Sequence, residues 1–250
     1  MGFENTDWRQ AAASALDWWR DAGVDVLVED APRDWLAAVE ATPVASHDRR
    51  VSSDIDGSDA GVRRGGAMPA TWDAFLPWRS GPEAPDAGLR GVAVTASGPA
   101  TAPLMILADC PDRDDEPAGA LLSGAAGRLF DRMLAAIGVT RADVHLAVVC
   151  AKRPVAGRMP PELVEQLHDC ARHHVGLVAP QRLLLLGNAA SRAVLATDTA
   201  HARGALRAFN HKGTEVGVVA THHPRALLEQ PQLKAQAWKD LQMLVRDWAR

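Results

Sequence analysis

The sequence has no tyrosine, only three cysteines and no excess of basic residues. Its 27 Lys and Arg residues stand against 31 Asp and Glu, which gives a net charge of -4. This balance excludes a general electrostatic attraction to nucleic acid or acidic lipid, so any such site must be a local patch. Three cysteines are an odd number, which argues against a disulfide framework. They are also too few for a metal site built from four thiolates.

Long apolar runs are missing as well. No window approaches the roughly 18 consecutive apolar residues that a membrane-spanning helix needs. Residues 1–7 have neither the basic nor the apolar stretch of a secretion signal. We therefore expect a cytoplasmic protein that does not bind membranes. With 250 residues, of which 47% are hydrophobic, the chain can bury one large core or two small ones.

The composition divides the chain into three parts. Residues 1–41 are predicted to form a helical N-terminal flank, with amphipathic spacing at residues 7–21 and a second helix at 32–41. This flank is rich in tryptophan, which makes it a candidate surface for a protein partner. Residues 42–102 are rich in Gly, Pro, Ser and Asp, which predicts a partly flexible linker with one helical island at 71–76. Residues 103–250 form the third part.

In residues 103–250, short apolar runs alternate with helical patterns. The runs lie at 104–108, 144–150, 182–186 and 215–220, and their continuous hydrophobicity is typical of strands buried on both faces. Helical patterns lie at 124–137, 161–178, 188–195 and 232–249. We predict an α/β fold with three layers, α/β/α, around a central, mostly parallel, four-stranded sheet.

Polar residues follow each of the four predicted strands, at the sheet edge where ligands bind in open parallel sheets. An acidic turn follows the first strand, a basic loop the second, a helix start the third and a histidine the fourth. A carboxylate that positions water, an imidazole that stabilises a leaving anion and guanidinium groups that hold phosphates suit hydrolysis of a bond in nucleic acid. The same residue types are common in solvated turns, and composition does not decide between these interpretations.

Two motifs carry a resemblance to a known family. Gly119, Gly124 and Gly127 are followed, without gaps, by LFDRMLAAIG at 129–138, and HPRALL follows at 223–228. With these motifs, residues 103–248 resemble the uracil-DNA glycosylase superfamily, most of all the family-four enzymes that carry an iron–sulfur cluster. The resemblance implies a uracil-DNA glycosylase-like fold, DNA as the partner and a role in base-excision repair. Such enzymes flip a base out of the DNA and hydrolyse its N-glycosidic bond.

The resemblance also implies roles for individual residues. The catalytic pair would be Asp109, which activates water, and His223, which stabilises the leaving base. Four residues would line the base pocket: Cys110, Pro111, Leu122 and Val148. Four would contact DNA: Arg153, Arg158, Asn188 and Arg225.

Several of these residues depart from the family pattern. Asp109 replaces a glutamate and Asp112 a glycine, while Leu122 replaces the stacking phenylalanine and Val148 the base-reading asparagine. Arg225 replaces a serine. A base edge buried without partners costs about 1–3 kcal/mol per polar group, so strong selection of uracil is not expected. We predict a divergent glycosylase with reduced or altered specificity. The alternatives are an inactive member that binds DNA or a protein, and a hydrolase that acts on a free nucleoside or another small molecule.

The cluster ligands of the family are also replaced. No cysteine precedes Cys110, Lys152 stands at the third ligand position and only Cys170 remains in register. We therefore expect no iron–sulfur cluster, no metal and no other cofactor. Cys170 is predicted to be a small core residue.

Overall fold

The computed structural model describes residues 68–155, 158–211, 214–246 and 248. The predicted N-terminal flank, with its two helices and its tryptophan-rich partner surface, lies outside the described residues, as do residues 42–67 of the predicted linker. Among the helices in the described ranges, none has the length and apolarity needed to cross a bilayer.

A five-stranded sheet forms the centre of the described part. Its strands are β1 (Leu104–Ala108), β2 (Val144–Val148), β3 (Arg182–Leu186), β4 (Arg207–His211) and β5 (Thr214–Thr221). They lie in the order β2-β1-β3-β5-β4, and all pairs are parallel except β4 with β5. The mostly parallel α/β fold is confirmed. The predicted number of four strands is wrong, because β4 is an antiparallel edge strand whose exposed residues form no apolar run.

Helices cover both faces of the sheet. They are α1 (Trp72–Ser80), α2 (Asp115–Ala118), α3 (Gly124–Ala136), α4 (Val164–Val178), α5 (Asn188–Leu195), α6 (Thr199–Ala202), α7 (Pro224–Glu229) and α8 (Lys234–Val245). Side chains of β1 alternate between two cores: Ile106 packs with α3, α7 and α8, whereas Met105 and Leu107 pack with α4 and α5. This alternation gives the three predicted layers.

Part of the segment that is predicted to be a linker is folded onto this sheet. Residues 68–102 contain α1, and Phe75 and Val94 are buried. Ser97 exchanges two backbone hydrogen bonds of 2.9 Å with Leu146 of β2. The next residue, Gly98, has φ +86°, and a Cβ there would lie 2.0 Å from the carbonyl oxygen of Val144. The apolar residues of this segment are too sparse to show a period, so the sequence gives no sign of their burial.

An aromatic cluster joins α1, α4 and β2. The Nε2 atoms of His145, on β2, and His174, on α4, are 2.9 Å apart, and both residues are buried. The ring of Trp72 lies 5.0 Å from that of His145 and 5.3 Å from that of His174, and Phe75 lies 5.0 Å from His174. Burial lowers the pKa of both histidines. The rings are therefore neutral at pH 7.

Candidate active site

The loops that follow β1, β2, β3 and β5 lie at one edge of the sheet, because these strands are parallel. This edge carries the residues for which the sequence predicts catalytic and DNA-binding roles. Two carboxylates of the loop after β1 face different parts of this edge. Asp109 follows β1 and faces the start of α5, whereas Asp112, farther along the same loop, faces the residues that follow β2 and β5.

Asp109 lies against the N-terminus of α5. Its Oδ1 atom accepts a hydrogen bond from the backbone N–H of Ala190 at 2.8 Å. Gly187 precedes the helix with φ +101°, and a Cβ at this residue would lie 2.3 Å from Asp109 Oδ2, so the close approach needs glycine. Burial raises the pKa of Asp109 to about 6, although the helix amides favour the charged form. The carboxylate is thus ionised at pH 7 and held by the helix.

Asn188, one of the predicted DNA contacts, is the first residue of α5. Its Oδ1 atom accepts a hydrogen bond from the backbone N–H of Thr199, while the residue itself is exposed. The side-chain oxygen therefore supports α6. The helix terminus beside it already holds the Asp109 carboxylate.

His223 caps the N-terminus of α7 and is buried. Its Nδ1 atom accepts a hydrogen bond of 3.2 Å from the backbone N–H of Arg225. Nδ1 therefore has no proton, and the ring proton of the neutral histidine lies on Nε2. Burial lowers the pKa of His223 to about 4, and the positive charge of Arg225 acts in the same direction. At pH 7 His223 is a neutral ring with an N–H donor at Nε2.

Asp109 and His223 share an electrostatic neighbour. The charge of Arg225 acts on both, and it lowers the pKa of each. The strand β3 lies between β1 and β5, after which the two residues follow. Neither residue belongs to the lining of the polar cavity of about 610 Å³ at this edge. That cavity is lined by Asp112, Arg153 and Arg225 together with the first turn of α3.

Asp112 connects three loops at the mouth of the site. Its Oδ1 atom accepts hydrogen bonds from Arg225 Nη1 at 2.5 Å and from Arg153 Nη1 at 3.3 Å. Arg153 also donates to the carbonyl oxygen of Pro111 at 2.9 Å. Two of the predicted DNA contacts are thus bound to a carboxylate of the chain. Arg158, a third, is exposed, and it follows residues 156–157, which lie outside the described part.

The predicted pocket residues belong to the protein interior or its margin. Leu122 and Val148 are buried in the same hydrophobic core, Pro111 is buried and Cys110 is half-buried. Burial raises the pKa of Cys110 to about 11, so its thiol is protonated at pH 7. Leu122 adopts φ +51°, a left-handed conformation that disfavours a branched side chain. Apolar atoms thus stand at the positions for which the resemblance implies a stacking ring and a base-reading amide.

Asp115 holds the walls of the site together, a role that sequence reasoning missed. This buried carboxylate accepts backbone hydrogen bonds from Asp112 at 2.9 Å, Leu122 at 3.1 Å and Ser123 at 2.6 Å. Arg141 supports the same loop, since its Nη2 atom donates to the carbonyl oxygen of Leu122 at 2.5 Å. The acidic run from 112 to 116 has no periodicity that would distinguish its buried member from its solvated ones.

Comparison with known proteins identifies the family. The family model described as the uracil DNA glycosylase superfamily matches residues 95–242, which include the whole sheet and every loop of the site. The chain belongs to the uracil-DNA glycosylase superfamily. A type-4 uracil-DNA glycosylase from Archaeoglobus fulgidus is 30% identical over 158 residues, which cover 60% of this chain and 79% of that protein. Type-4 uracil-DNA glycosylases from Pyrobaculum aerophilum and Sulfurisphaera tokodaii are 29% and 26% identical, over 62% and 58% of this chain and 82% and 70% of their own lengths.

Two site residues for which the resemblance implies other residue types contact each other. Asp112 and Arg225 stand where the resemblance implies a glycine and a serine, and they form a direct ion pair although 113 positions separate them in the chain. The carboxylate of the loop after β1 therefore has its partner in a guanidinium group at the start of α7.

The residues at the positions for which the resemblance to the family-four enzymes implies cluster ligands do not fit an iron–sulfur cluster. Lys152 directs its Nζ atom at the carbonyl oxygens of Ala87 and Leu89, at 2.7 and 3.0 Å. An ammonium group offers no electron pair to iron. Cys170 is buried as predicted, and burial raises the pKa of its thiol to about 11. One thiol is fewer than the four ligands that an iron–sulfur cluster usually needs.

A buried ion pair lies beside Cys170 instead. Arg79 and Asp86, which are 4% and 1% exposed, form two hydrogen bonds of 2.5 and 3.0 Å. Asp86 also accepts from the backbone N–H of Ala151, and Arg79 donates to the carbonyl oxygen of Val149. These bonds hold the residues after β2 against the segment that follows α1. The charge of Arg79 acts directly on Cys170.

Proposed function

We propose that the protein is a divergent DNA glycosylase of base-excision repair, which hydrolyses the N-glycosidic bond of a flipped damaged base with reduced or altered specificity. The observation that carries this proposal is the hydrogen bond that His223 Nδ1 accepts from the backbone N–H of Arg225. A buried, neutral imidazole with its proton on Nε2 can donate to a leaving base as negative charge develops on it. The names of the relatives, type-4 uracil-DNA glycosylases, support the same reaction class.

Asp109 supplies the second group. Its carboxylate is ionised above a pH of about 6 and can orient a water molecule toward the anomeric carbon. The apolar Leu122 and Val148 offer no polar partner to a pyrimidine edge, which favours bases selected by weak pairing over bases selected by hydrogen bonding. In this proposal the protein is cytoplasmic, acts on DNA and works without an iron–sulfur cluster. Iron analysis of the purified protein tests the last point.

The experiment is a glycosylase assay on single- and double-stranded oligonucleotides that contain uracil, hypoxanthine or xanthine. Asp109→Asn and His223→Ala are each expected to lower the cleavage rate by about 10²–10⁴-fold, the usual contribution of a positioned acid or base. His201→Ala, which changes an exposed histidine of α6, is the matched control and should retain full activity. The rate should rise with pH through about 6 as Asp109 ionises, then stay level to pH 8.

A second candidate function has its own observation. The carboxylate of Asp109, which catalysis would need, already accepts a hydrogen bond from the backbone N–H of Ala190 at the start of α5. This contact favours an inactive member that binds DNA or a protein. In that case the assay shows no cleavage of any substrate by folded protein, and a gel shift with the same oligonucleotides reports whether DNA is bound. Cleavage that persists in both variants would place the chemistry on other residues.

A further inference from the structure

The mouth of the site contains paired charges that are accessible to solvent. The side chain of Asp112 is 13% exposed, that of Arg153 27% and that of Arg225 47%. Water reaches the arginine end of each pair, which weakens the attraction between the charges. The three side chains come from the loops after β1 and β2 and from the start of α7, and they line the 610 Å³ cavity. A solute anion that enters this cavity meets the two arginines directly.

The cavity has the donors that a phosphate group needs. Two guanidinium groups meet at one carboxylate oxygen, and Ala125 and Ala126 of the first turn of the 13-residue helix α3 line the wall beside them. Guanidinium pairs and backbone amides at a helix start are common ligands of phosphate oxygens. Yet the cavity is electrically neutral, because three acidic side chains (Asp112, Asp114 and Glu229) balance three arginines (Arg113, Arg153 and Arg225).

Carboxylates of the chain itself occupy two positions at this edge of the sheet. The Asp112 carboxylate binds the two arginines, and the carboxylate of Asp114 lies so close to Gly124, at the start of α3, that a Cβ there would be 1.9 Å from its Oδ2 atom. An aspartate therefore stands beside the two arginines and another beside the start of α3. Asp112 pairs with one defined partner, Arg225, which lies 113 positions away in the sequence.

We propose that Arg153 and Arg225 form a phosphate site that the Asp112 carboxylate occupies from within the chain. A phosphate must displace this carboxylate, so Asp112 sets the affinity of the cleft for phosphate-bearing ligands. That the ligand is a phosphodiester of DNA rests on the function proposed above. Asp112 is thus an affinity-determining residue, and its removal should reveal the site.

The test compares wild type with Asp112→Asn. The backbone N–H of Asp112, which donates to Asp115, is unchanged by this substitution, so the loop is expected to keep its shape. Binding of inorganic pyrophosphate is measured by calorimetry, and binding of a labelled single-stranded oligonucleotide by fluorescence anisotropy. The variant should bind both about tenfold more tightly, because two guanidinium groups lose their competing carboxylate. For the oligonucleotide, the slope of log K against log salt should steepen by about 0.7 for each added phosphate contact.

Two further variants separate a specific site from a general change in charge. Asp131→Asn removes one negative charge from an exposed pair with Arg141, and it should change both affinities less than twofold. Arg225→Ser in the Asp112→Asn background should return both affinities to the wild-type level. Asp112→Gly serves as a second release variant if the asparagine variant does not fold.

The outcomes distinguish this inference from the proposed function. Tighter pyrophosphate binding by the Asp112 variant, with no oligonucleotide bound by either protein, supports the phosphate site and overturns the DNA function. An oligonucleotide bound equally by wild type and variant, with unchanged pyrophosphate affinity, overturns the inference and leaves the DNA function standing. Equal gains in the Asp112 and Asp131 variants overturn the inference, because they would reflect net charge alone.

Discussion

Replacing Asp109 by asparagine is expected to stabilise the protein while it removes the carboxylate from the site. Burial raises the pKa of Asp109 from its ordinary 3.8 to about 6, so the folded state favours the neutral acid. Each pKa unit corresponds to about 1.4 kcal/mol. The ionised carboxylate therefore lowers the free energy of unfolding by about 3 kcal/mol at pH 8. Asparagine has nearly the same shape, keeps an oxygen for the N–H of Ala190 and has no charge.

The sign and the pH range of this effect follow from the two pKa values. Below about pH 3 the acid is protonated in both the folded and the unfolded state, so wild type and Asp109→Asn should have equal unfolding free energies. As pH rises, the variant gains relative to wild type, by about half of the full difference at pH 5 and all of it above pH 7. Urea unfolding followed by circular dichroism at pH 5, 6, 7 and 8 measures this difference.

A control of opposite sign is available on the surface. The hydrogen bond from Arg192 lowers the pKa of Asp198, so Asp198→Asn should destabilise the protein above that pKa instead of stabilising it. A loss of stability in Asp109→Asn at pH 8 would refute the reasoning. It would mean that the attraction between the carboxylate and the start of α5 exceeds the desolvation of the charge. A gain that does not change with pH would refute the assignment to ionisation.

Three further predictions concern other parts of the fold. Arg79→Met leaves a buried carboxylate without its partner and should lower the free energy of unfolding by about 3–5 kcal/mol, whereas Arg172→Met, at a more exposed pair, should lower it by at most about 1 kcal/mol in urea titrations. Ala196→Gly should raise the melting temperature, because Ala196 has φ +54° and glycine relieves about 1 kcal/mol of backbone strain. Ala135→Gly, within α3, should lower the melting temperature, because glycine is unfavourable inside a helix. The His223 ring should not titrate between pH 5 and 8 by NMR, since its pKa is about 4; a midpoint near 6.5 would contradict its burial.

The sequence predicts the elements whose residues are buried on both faces. β1 and β3 have the predicted bounds, and α5 begins and ends at the predicted residues, because an uninterrupted apolar run or a clear helical period marks each of them. The strand β4 has no such mark, since one of its edges faces solvent and its residues are largely exposed. Prolines at 161 and 231 begin short 3-10 turns, so α4 and α8 start two to three residues later than predicted.

The polar contacts of the site could not be predicted from the sequence. Which edge of the sheet carries the chemistry follows from the order of strands, and the sequence predicts that edge. The pairing of Asp112 with Arg225 does not follow, because it depends on how two loops 113 positions apart are placed. The buried roles of Asp86 and Asp115 are hidden for a similar reason. A carboxylate in a polar segment looks the same in sequence whether it faces water or three backbone amides.

The contact between His145 and His174 has a consequence for proton movement. Two Nε2 atoms at 2.9 Å need one hydrogen between them, so one ring carries it and the other offers a lone pair. A strand and a helix are thereby linked through a single shared hydrogen. The rings of Trp72 and Phe75, both on α1, pack against the two histidines. We expect exchange of this hydrogen with solvent to require movement of α1, so its exchange rate should report the local opening of that helix.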